Sequence, residues 1–469
     1  MKLLLSIDIG STYTKGILFR LEEERLTVQA AASLPTTVWK LAEGFRDVAA
    51  KLLNVQHNFT RNDLSENLEI FYSSSAKGGL KVAALGIVPE LTMKMAKETG
   101  CSAGAKISSI FSYKLSDRNL SEIENDNPDI ILFTGGTDGG NESINLHNAA
   151  MLAKLKISVP VIYAGNNFLS GSIAKILAGR EFYPMENVLP ALETPNPEPA
   201  RSKIMNIFLK NIIFGKGLDE IIRLTGAEPL PTPYSMLEFI KIIPEYNQSW
   251  RDFCVIDMGG ATTDFYSCTK DKTDCVKIVR RGLPEPEIKR SVEGDIGMRV
   301  SAASAAETAK DYISEKLKAG RLSETDWNRY ITKLGVQPDY LPAAVEELEF
   351  DRILASACLR VAARRHAGER KTVYTAIGAV GVQSGKDLRS VKAVVGTGGY
   401  MSRIDSGFYR NSLDNLQDSA ADTMLLLPEN PVFYSDSKYL FPMLANIATK
   451  YPAEATAMIV SEISIMEDN

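Results

Sequence analysis

The sequence predicts an α/β fold made of two similar halves, and three observations support this prediction. The first is a short apolar run at residues 6–15 that ends in Asp-x-Gly and small hydroxyl residues. The second is the same pattern at residues 255–265, and the third is a buried strand ending in Gly-Thr-Gly-Gly at 396–399. Such turns direct several backbone N–H groups and hydroxyls into one small volume, which is what an anionic phosphate needs. The repeated turn therefore predicts a fold that grips one nucleotide between its halves.

The composition is that of an ordinary globular protein. The 469 residues are enough for two or three domains. The formal charge of −5 does not indicate the basic surface that nucleic-acid binding requires. No apolar run approaches the length of a membrane span, and Asp8 interrupts the first apolar run too early for a signal peptide. We therefore expect a cytoplasmic protein with neither a nucleic-acid nor a membrane partner.

The cysteines and histidines indicate no metal cluster. No two cysteines have C-x-x-C spacing and their number is odd, so we expect reduced, mostly buried thiols. The three histidines are scattered, and His366 is expected on a solvated helix face. The five cysteines are Cys101, Cys254, Cys268, Cys275 and Cys358.

The first half of the chain begins with three predicted strands, at 3–9, 13–21 and 26–34. A helix is predicted near 39–53, and a further strand at 69–75 leads into the small-residue segment 76–80. That segment is equally consistent with a surface facing a ligand and with a plain strand-to-helix connection.

A βαβ unit with a parallel sheet is predicted next. A buried strand at 128–133 opens into paired glycines, a helix follows at 142–156, and a second buried strand lies at 159–164. Asp138 in the glycine loop is expected to form the turn, with a polar ligand contact as the alternative. Prolines interrupt regular structure at 189–199, and residues 201–224 are predicted to be helical.

The second half repeats the opening pattern. Strands are predicted at 252–257, 263–269 and 275–280, helices at 300–318 and 342–366, and a buried strand at 391–396. We place the domain boundary near 245–250. This gives an N-terminal lobe at 1–248, with the first turn and the inserted segments, and a C-terminal lobe at 249–469.

The order of these motifs resembles the actin/Hsp70/sugar-kinase superfamily. Residues 8–15, 257–264 and 396–399 are similar to its phosphate-1, phosphate-2 and adenosine motifs, and they span nearly the whole chain. The resemblance implies a two-lobed actin-like ATPase fold of duplicated ribonuclease H-like domains, with ATP in the cleft between the lobes. One departure is the segment 434–449, which lacks the Gly-Ala pair common at the superfamily's last hinge helix.

The same resemblance implies roles for individual residues. Asp8 and Asp257 would be catalytic, holding hydrated Mg²⁺ and orienting the attacking water. The residues implied to contact ATP are Gly10, Ser11, Thr12 and Lys15 on one side of the phosphates, Gly259, Gly260, Thr262 and Thr263 on the other, and Gly396, Gly398 and Gly399 at the adenosine.

Four further segments narrow the resemblance to one family. Residues 73–81, 86–92, 129–141 and 293–297 are similar to the glutamate mutase (methylaspartate mutase) accessory ATPase family. That resemblance implies an ATPase that reactivates an adenosylcobalamin-dependent mutase or aminomutase by releasing damaged cobalamin. Homo-oligomers are possible in such a protein.

Three other functions fit parts of the pattern. One is a small-molecule kinase of the same fold, and another is a scaffold protein that binds nucleotide for assembly. The third, an activator of 2-hydroxyacyl-CoA dehydratases, shares the Asp-x-Gly-Ser-Thr opening but carries an iron–sulfur cluster, for which these cysteines offer no obvious pair.

Overall fold

The computed structural model describes residues 1–37, 39–55, 59–75, 80–103, 105–192, 194–213, 217–271, 278–376, 378–413, 416 and 423–466. The described strands are β1 (Lys2–Ile9), β2 (Tyr13–Glu22), β3 (Arg25–Pro35), β4 (Leu68–Ser74), β5 (Lys81–Gly86), β6 (Lys106–Ser112), β7 (Ile130–Phe133), β8 (Val161–Tyr163), β9 (Phe182–Pro184), β10 (Leu230–Pro231), β11 (Phe253–Met258), β12 (Thr263–Cys268), β13 (Ile278–Arg281), β14 (Ile288–Glu293), β15 (Glu369–Thr375), β16 (Gly378–Ser384), β17 (Ala393–Thr397), β18 (Thr423–Leu425), β19 (Val432–Ser435) and β20 (Ser464–Ile465).

The described helices are α1 (Leu41–Leu53), α2 (Lys94–Ser102), α3 (Asp117–Asp126), α4 (Glu142–Ala153), α5 (Ser170–Ile176), α6 (Glu198–Ile213), α7 (Leu218–Thr225), α8 (Thr232–Tyr246), α9 (Ala302–Thr308), α10 (Lys310–Ala319), α11 (Glu324–Val336), α12 (Val345–His366), α13 (Ser406–Leu413), α14 (Leu440–Ile447) and α15 (Pro452–Glu462). Single helical turns lie at Arg61–Asp63, Pro89–Met93, Asn167–Leu169 and Met401–Arg403.

The first sheet is built around the N-terminal strand. Residues 4–9 of β1 are all buried, as expected for a central strand covered on both faces. β1 pairs antiparallel with β2, which pairs antiparallel with β3. On its other side β1 pairs parallel with β4, and β4 pairs parallel with β10. The resulting order is β3-β2-β1-β4-β10.

The second sheet has the same topology. β11 pairs antiparallel with β12, β12 pairs antiparallel with β14, and β17 and β19 extend the sheet in parallel on the other side. Its order, β14-β12-β11-β17-β19, matches the first sheet strand for strand, with β20 added at the edge. This repeat is the duplicated ribonuclease H-like sheet of the actin-like ATPase fold. The predicted fold class is therefore confirmed.

One apolar core joins the two sheets through helices. It contains Leu4 and Phe19 from the first sheet, Val255 and Tyr266 from the second, and the buried faces of α8, α14 and α15. Phe239 of α8 packs edge-on against a phenylalanine of α14 with ring centroids 5.8 Å apart. Because both sheets pack on these helices, the ends of β1 and β11 are held in a fixed relation to each other.

The chain divides into two compact units. Unit 1 comprises Met1–Gly78, Ile212–Arg281 and Glu285–Asn469, and it contains both sheets described above and a smaller sheet of order β13-β16-β15-β18. Unit 2 comprises Gly79–Asn211 with Gly282–Pro284. The predicted division into lobes at residue 248 remains a prediction.

Unit 2 is an α/β unit with its own parallel sheet and core. Its strand order is β6-β5-β7-β8-β9, all parallel, so the order reverses between β5 and β7. The βαβ unit predicted from the sequence is β7-α4-β8 and is confirmed. Asp138 forms the glycine-loop turn, since its carboxylate accepts hydrogen bonds from the backbone and side chain of Asn167 and from Asn187.

Two predicted elements differ from the structure. The third strand of the second sheet is β14. Of the predicted 275–280 strand, residues 275–277 lie outside the described residues, and the rest belongs to β13, which pairs with β16 in the smaller sheet. The connection between β12 and β14 in the second sheet is therefore longer than the connection between β2 and β3 in the first sheet. Residues 201–224 form two helices instead of one, and Gly217, with φ of 81°, precedes α7 in a left-handed conformation that favours glycine.

His366 is buried, and the prediction of a solvated helix face is wrong. Its ring stacks on Phe265 with centroids 4.4 Å apart, and its two nitrogens lie 2.7 and 2.8 Å from the hydroxyls of Ser291 and Ser267. Burial lowers the pKa of His366 well below its usual value. The two arginines that precede His366 suggest a solvated face. The His366 side chain, however, lies on the face of α12 that packs against β12 and β14.

Candidate functional site

The two Asp-x-Gly turns have the same backbone geometry. The N–H of Gly10 donates to the carbonyl of Tyr13 at 3.1 Å, and the N–H of Gly259 donates to the carbonyl of Thr262 at 2.9 Å. The turns also face each other, because a Cβ added to Gly260 would lie 2.9 Å from the Thr12 side chain. One ligand can therefore contact both turns.

A cavity of about 860 Å³ lies at these turns, within unit 1. This volume falls in the range of small-molecule sites, roughly 300–1,000 Å³. Of the residues predicted from the sequence, those that line the cavity are Asp8, Gly10, Ser11, Thr12, Lys15, Asp257, Gly259, Gly260, Thr262, Gly398 and Gly399.

The structure places the other two predicted residues behind the cavity wall. The hydroxyl of Thr263 is buried and donates to the carbonyl of Ile296 at 2.9 Å, which ties the second turn to the following loop. Gly396 lies beneath the wall, where an added Cβ would collide with the Tyr409 hydroxyl. The small-residue segment after β4 falls partly outside the described residues, at 76–79, but Ser75 lines the cavity.

Asp8 is held by hydroxyl groups from three separate segments. Thr232 at the start of α8 donates to its Oδ1 at 2.7 Å, and Ser73 of β4 donates to the same atom at 3.3 Å. Tyr439, just before α14, donates to Oδ2 at 2.9 Å. Because the donors come from three segments and reach both oxygens, they fix the orientation of the Asp8 carboxylate.

Asp257 lies in a different environment from Asp8. Among the described residues, no side chain donates a hydrogen bond to its carboxylate, and its neighbours are mostly acidic. Burial, followed by the charges of Asp264 and Asp8, raises the pKa of Asp257 to about 7, although Lys15 opposes the shift. A carboxylate with a pKa near neutrality is suited to accept a proton from water.

Lys15 supplies the positive charge at the first turn. Its side chain is largely removed from solvent, and burial lowers its pKa, while Asp8, Asp257 and Asp436 oppose that shift. In the register of the two hairpins Lys15 pairs with Asp8, as Asp264 pairs with Asp257. An ammonium that faces the cavity is a fitting partner for phosphate oxygens, because it donates charge-assisted hydrogen bonds to them.

Asp264 serves to shape the second turn. It forms a buried ion pair with Arg290 of β14, with Nε and Nη2 at 3.0 and 2.5 Å from one carboxylate oxygen. Its other oxygen accepts from the Thr262 hydroxyl at 3.2 Å. Asp264 thereby fixes the position of the Thr262 hydroxyl in the second turn.

Apolar side chains also line the cavity. Met298, Tyr400 and Ile404 are among the lining residues, as are the glycines at 398–399 and the cations Arg352 and Arg403. Arg299 forms a two-point ion pair with Asp351 of α12, at 3.0 and 2.8 Å, and so fixes the loop that carries Met298. Glycine turns and cations together with apolar side chains in one cavity fit the phosphates and the base of a nucleotide.

The donor set also fits a hydrated Mg²⁺ ion. Within the described part of the chain, no group of three His, Cys, Asp or Glu side chains forms a metal cage. Mg²⁺ bound with nucleotide commonly uses only one or two carboxylates plus phosphate oxygens, and Asp8 and Asp257 both face the cavity. The described cysteines Cys254, Cys268 and Cys358 are buried and free.

Several residues of the site were not predicted from the sequence. Ser73, Thr232 and Tyr439 hold Asp8, and Asp436 anchors the segment that carries Tyr439. One sequence signal indicates this segment: a strand ends at Ser435 and is followed directly by an acidic residue. The ends of strands in such sheets often carry functional groups.

The repeated sheet and the cavity at its two turns define a protein of the actin-like ATPase fold. A family model described as MutL protein matches residues 4–463. Protein MutL of Clostridium tetanomorphum is 35% identical over 461 residues, which cover 97% of this chain and 98% of that protein. The chain belongs to the MutL protein family, in agreement with the resemblance to the glutamate mutase accessory family.

Two solved structures are also similar over most of the chain. Diol dehydratase-reactivating factor in its nucleotide-free form is 10% identical, with 98% of this chain and 99% of that chain covered and a TM-score of 0.33. Glycerol dehydratase reactivase is 10% identical, with 95% and 100% covered and a TM-score of 0.31. At TM-scores this low, neither similarity carries a conclusion about this chain. Among the described residues, no helix is long and apolar enough to cross a membrane.

Proposed function

We propose that this protein binds and hydrolyses ATP with Mg²⁺, and uses the nucleotide to reactivate an adenosylcobalamin-dependent mutase or aminomutase by promoting release of damaged cobalamin. The observation that carries the ATPase part is the cavity at the two facing turns. It combines two glycine turns, a lysine that faces the cavity and two aspartates in contrasting environments. We propose a cytoplasmic location, and assembly into homo-oligomers is compatible with the function.

The residues have distinct roles in this proposal. The turn amides and hydroxyls at 10–12 and 259–262 contact the phosphates from two sides, and Lys15 neutralises part of their charge. Asp8, oriented by its three hydroxyl donors, would hold the hydrated Mg²⁺, which when bound would neutralise developing charge on the phosphate oxygens. Asp257 orients the attacking water and accepts its proton, since its raised pKa makes it a competent base near neutral pH.

The reactivating part of the proposal rests on membership of the MutL protein family together with the motif resemblance. A nucleotide held by two halves of a fold favours a closed arrangement, and hydrolysis removes that preference. Such a change is a means to act on a partner protein. The same cavity could also serve a small-molecule kinase or a nucleotide-dependent scaffold. The experiment described next distinguishes these two functions from reactivation.

The test measures phosphate release from ATP by the wild type and by Asp257→Asn, with and without a cobalamin mutase. Asp252→Asn is the matched control, because Asp252 lies just before the same strand and accepts a hydrogen bond from Thr269, away from the cavity. We expect turnover that the mutase stimulates and that only Asp257→Asn loses. Inactivated mutase should also regain activity when supplied with this protein, ATP and free adenosylcobalamin.

Each contrary result has a defined meaning. Turnover that responds to a sugar or a carboxylate but not to the mutase would indicate the kinase. Nucleotide binding without turnover, together with nucleotide-dependent sedimentation, would indicate the scaffold. Failure to restore any candidate mutase would refute reactivation and leave the ATPase part standing.

A further inference from the structure

Tyr439 occupies an unusual position at the edge of the cavity. It immediately precedes α14, and its backbone is left-handed, with φ of 58° and ψ of 40°. Such a conformation is uncommon for residues other than glycine. A bulky residue that adopts it often lies at a functional site. The N–H of Tyr439 donates to the carbonyl of Asp436 at 3.1 Å, which closes a tight turn. The backbone therefore directs a large aromatic side chain into the cavity instead of onto the surface.

The Tyr439 side chain contacts both charged groups of the first turn. Its hydroxyl donates to Asp8 Oδ2 at 2.9 Å. Its ring face lies under the ammonium of Lys15, with Nζ 3.4 Å from the ring centroid. A cation within about 6 Å of an aromatic face is attracted to it, and more strongly when water is excluded. One residue thus holds an anion by its hydroxyl and a cation by its ring.

The hydroxyl of Tyr439 has an orienting effect that the other donors lack. Thr232 and Ser73 both donate to Oδ1 of Asp8, so they leave rotation of the carboxylate about its Cβ–Cγ bond less constrained. Among the described residues, Tyr439 is the side chain that donates to Oδ2.

The position of Tyr439 is tied to the strand that carries Asp8. The hydroxyl of Ser6, on β1, donates to the carbonyl of Met443 in α14 at 2.8 Å, and Asn446 donates back to Ser6 at 3.3 Å. Asp436 accepts the first two backbone N–H groups of α14, at 2.6 and 2.9 Å. α14 is therefore bonded to β1 in its later part, and its start is fixed by Asp436.

We propose that Tyr439 is a positioning residue of the nucleotide site, whose hydroxyl sets the carboxylate plane of Asp8 and whose ring places the Lys15 ammonium toward the phosphates. This role rests on the proposed binding of Mg²⁺ and ATP. It couples the C-terminal helix α14 to the first phosphate turn. The hydroxyl acts on the metal side of the site and the ring acts on the phosphate side, so the two contributions are separable by mutation.

The test compares ATP binding by Tyr439→Phe and Tyr439→Leu with that of the wild type, by calorimetry, in Mg²⁺ and in EDTA. Tyr439→Phe keeps the ring and loses the hydroxyl, so we expect Mg²⁺–ATP affinity to fall about ten- to a hundredfold while affinity in EDTA stays within about twofold of the wild type. Tyr439→Leu loses both contacts, so its affinity should fall in EDTA as well.

Tyr451→Phe is the matched control. The Tyr451 hydroxyl also donates to a carboxylate, that of Glu69 at 3.0 Å, and Lys450 lies 5.6 Å from its ring centroid, but this group is outside the cavity. Its loss should leave ATP affinity unchanged in both conditions. Thermal unfolding of each variant confirms that binding is measured on folded protein.

A double-mutant cycle with Lys15→Met tests the ring contact independently of the hydroxyl. If the ring acts through Lys15, the effect of Tyr439→Leu on affinity in EDTA should disappear when Lys15 is already Met. Wild-type Mg²⁺ dependence in Tyr439→Phe, or additive losses in the cycle, would overturn this inference and leave the proposed function intact. A wild type that binds no ATP would overturn the proposed function itself.

Discussion

Lys15 and Asp264 occupy equivalent positions in the two hairpins but carry opposite charge. Each pairs across its hairpin with the aspartate that leads into the turn, Asp8 or Asp257. The first aspartate therefore faces a cation and hydroxyl donors, while the second faces another carboxylate. This asymmetry distinguishes two otherwise similar turns, because the carboxylate opposite Asp257 contributes to its raised pKa.

The raised pKa of Asp257 predicts the pH dependence of catalysis. Since a base must be deprotonated to act, and the pKa is about 7, ATP turnover should rise between about pH 6 and pH 8 and then level off. Asp257→Asn should lower turnover by about 10²–10⁴-fold and remove this rise. Phosphate release measured from about pH 5.5 to pH 9 tests both expectations, and a rate that falls across this interval would contradict them.

The same substitution should stabilise the protein, in a pH-dependent way. The unfolded chain ionises Asp257 near pH 3.8 and the folded chain near 7, so its charge increasingly destabilises the folded state across that interval. At pH 8, Asp257→Asn should raise the free energy of unfolding by on the order of 1–2 kcal/mol, less than the full shift implies because Asp257 is only partly buried. At pH 3.5 the two proteins should unfold at nearly the same denaturant concentration.

Gly396 is required by its contact with Tyr409 beneath the cavity wall. A methyl group at this position collides with the buried tyrosine hydroxyl, which has no hydrogen-bond partner among the described residues. Gly396→Ala should therefore reduce the free energy of unfolding by about 1–3 kcal/mol. Tyr409→Phe alone should be neutral or stabilising, since it removes an unpaired buried polar group.

The double variant provides the test of that explanation. Gly396→Ala combined with Tyr409→Phe should recover much of the lost stability in urea unfolding, because the colliding oxygen is gone. If the two changes add without recovery, the collision is not the reason for glycine at position 396.

At the scale of elements, α14 depends on a buried capping residue. The carboxylate of Asp436 accepts two backbone N–H groups of the helix and the hydroxyl of Thr397 at 2.8 Å, and so connects α14 to β17. Asp436→Ala should lower the free energy of unfolding by about 2–4 kcal/mol, since three buried donors lose their acceptor. Ser323→Ala, which removes the cap of α11, is the control and should cost about 1 kcal/mol or less. Equal losses in urea unfolding would contradict this assignment.

The sequence predicted regular elements best where the pattern is local. The first three strands and α1 follow directly from apolar periodicity. The third strand of the second sheet was misplaced because β13 and β14 have similar local patterns, and their pairing with β16 and β12 is decided by long-range contacts. Sheet membership is not encoded in the periodicity of a single strand.

At the scale of the whole molecule, the two compact units predict two unfolding events. Unit 2 has its own sheet and an apolar core that includes Leu152, whereas Leu444 belongs to the core of the two repeated sheets. Each leucine replaced by alanine should destabilise its own unit by about 2–5 kcal/mol. In calorimetry, Leu152→Ala and Leu444→Ala should therefore shift different transitions.

Nucleotide provides the control for this prediction. Because the cavity lies in unit 1, ATP with Mg²⁺ should raise the transition that Leu444→Ala lowers and leave the other in place. One shared transition that moves with both substitutions and with nucleotide would show that the units unfold together.

The sequence by itself determined the duplicated fold, the two Asp-x-Gly turns and the aspartates at their entrances. These features follow from local patterns, since a buried strand, a glycine turn and a hydroxyl lie within a dozen residues of one another. Only the tertiary structure decided which side chains hold Asp8, because Ser73, Thr232 and Tyr439 reach it from segments 65, 224 and 431 residues away. It also decided that Thr263 and Gly396 lie behind the wall and that Asp257 has a raised pKa. The burial of a side chain and the charges around it depend on the residues that pack against it. The linear sequence does not specify which residues those are.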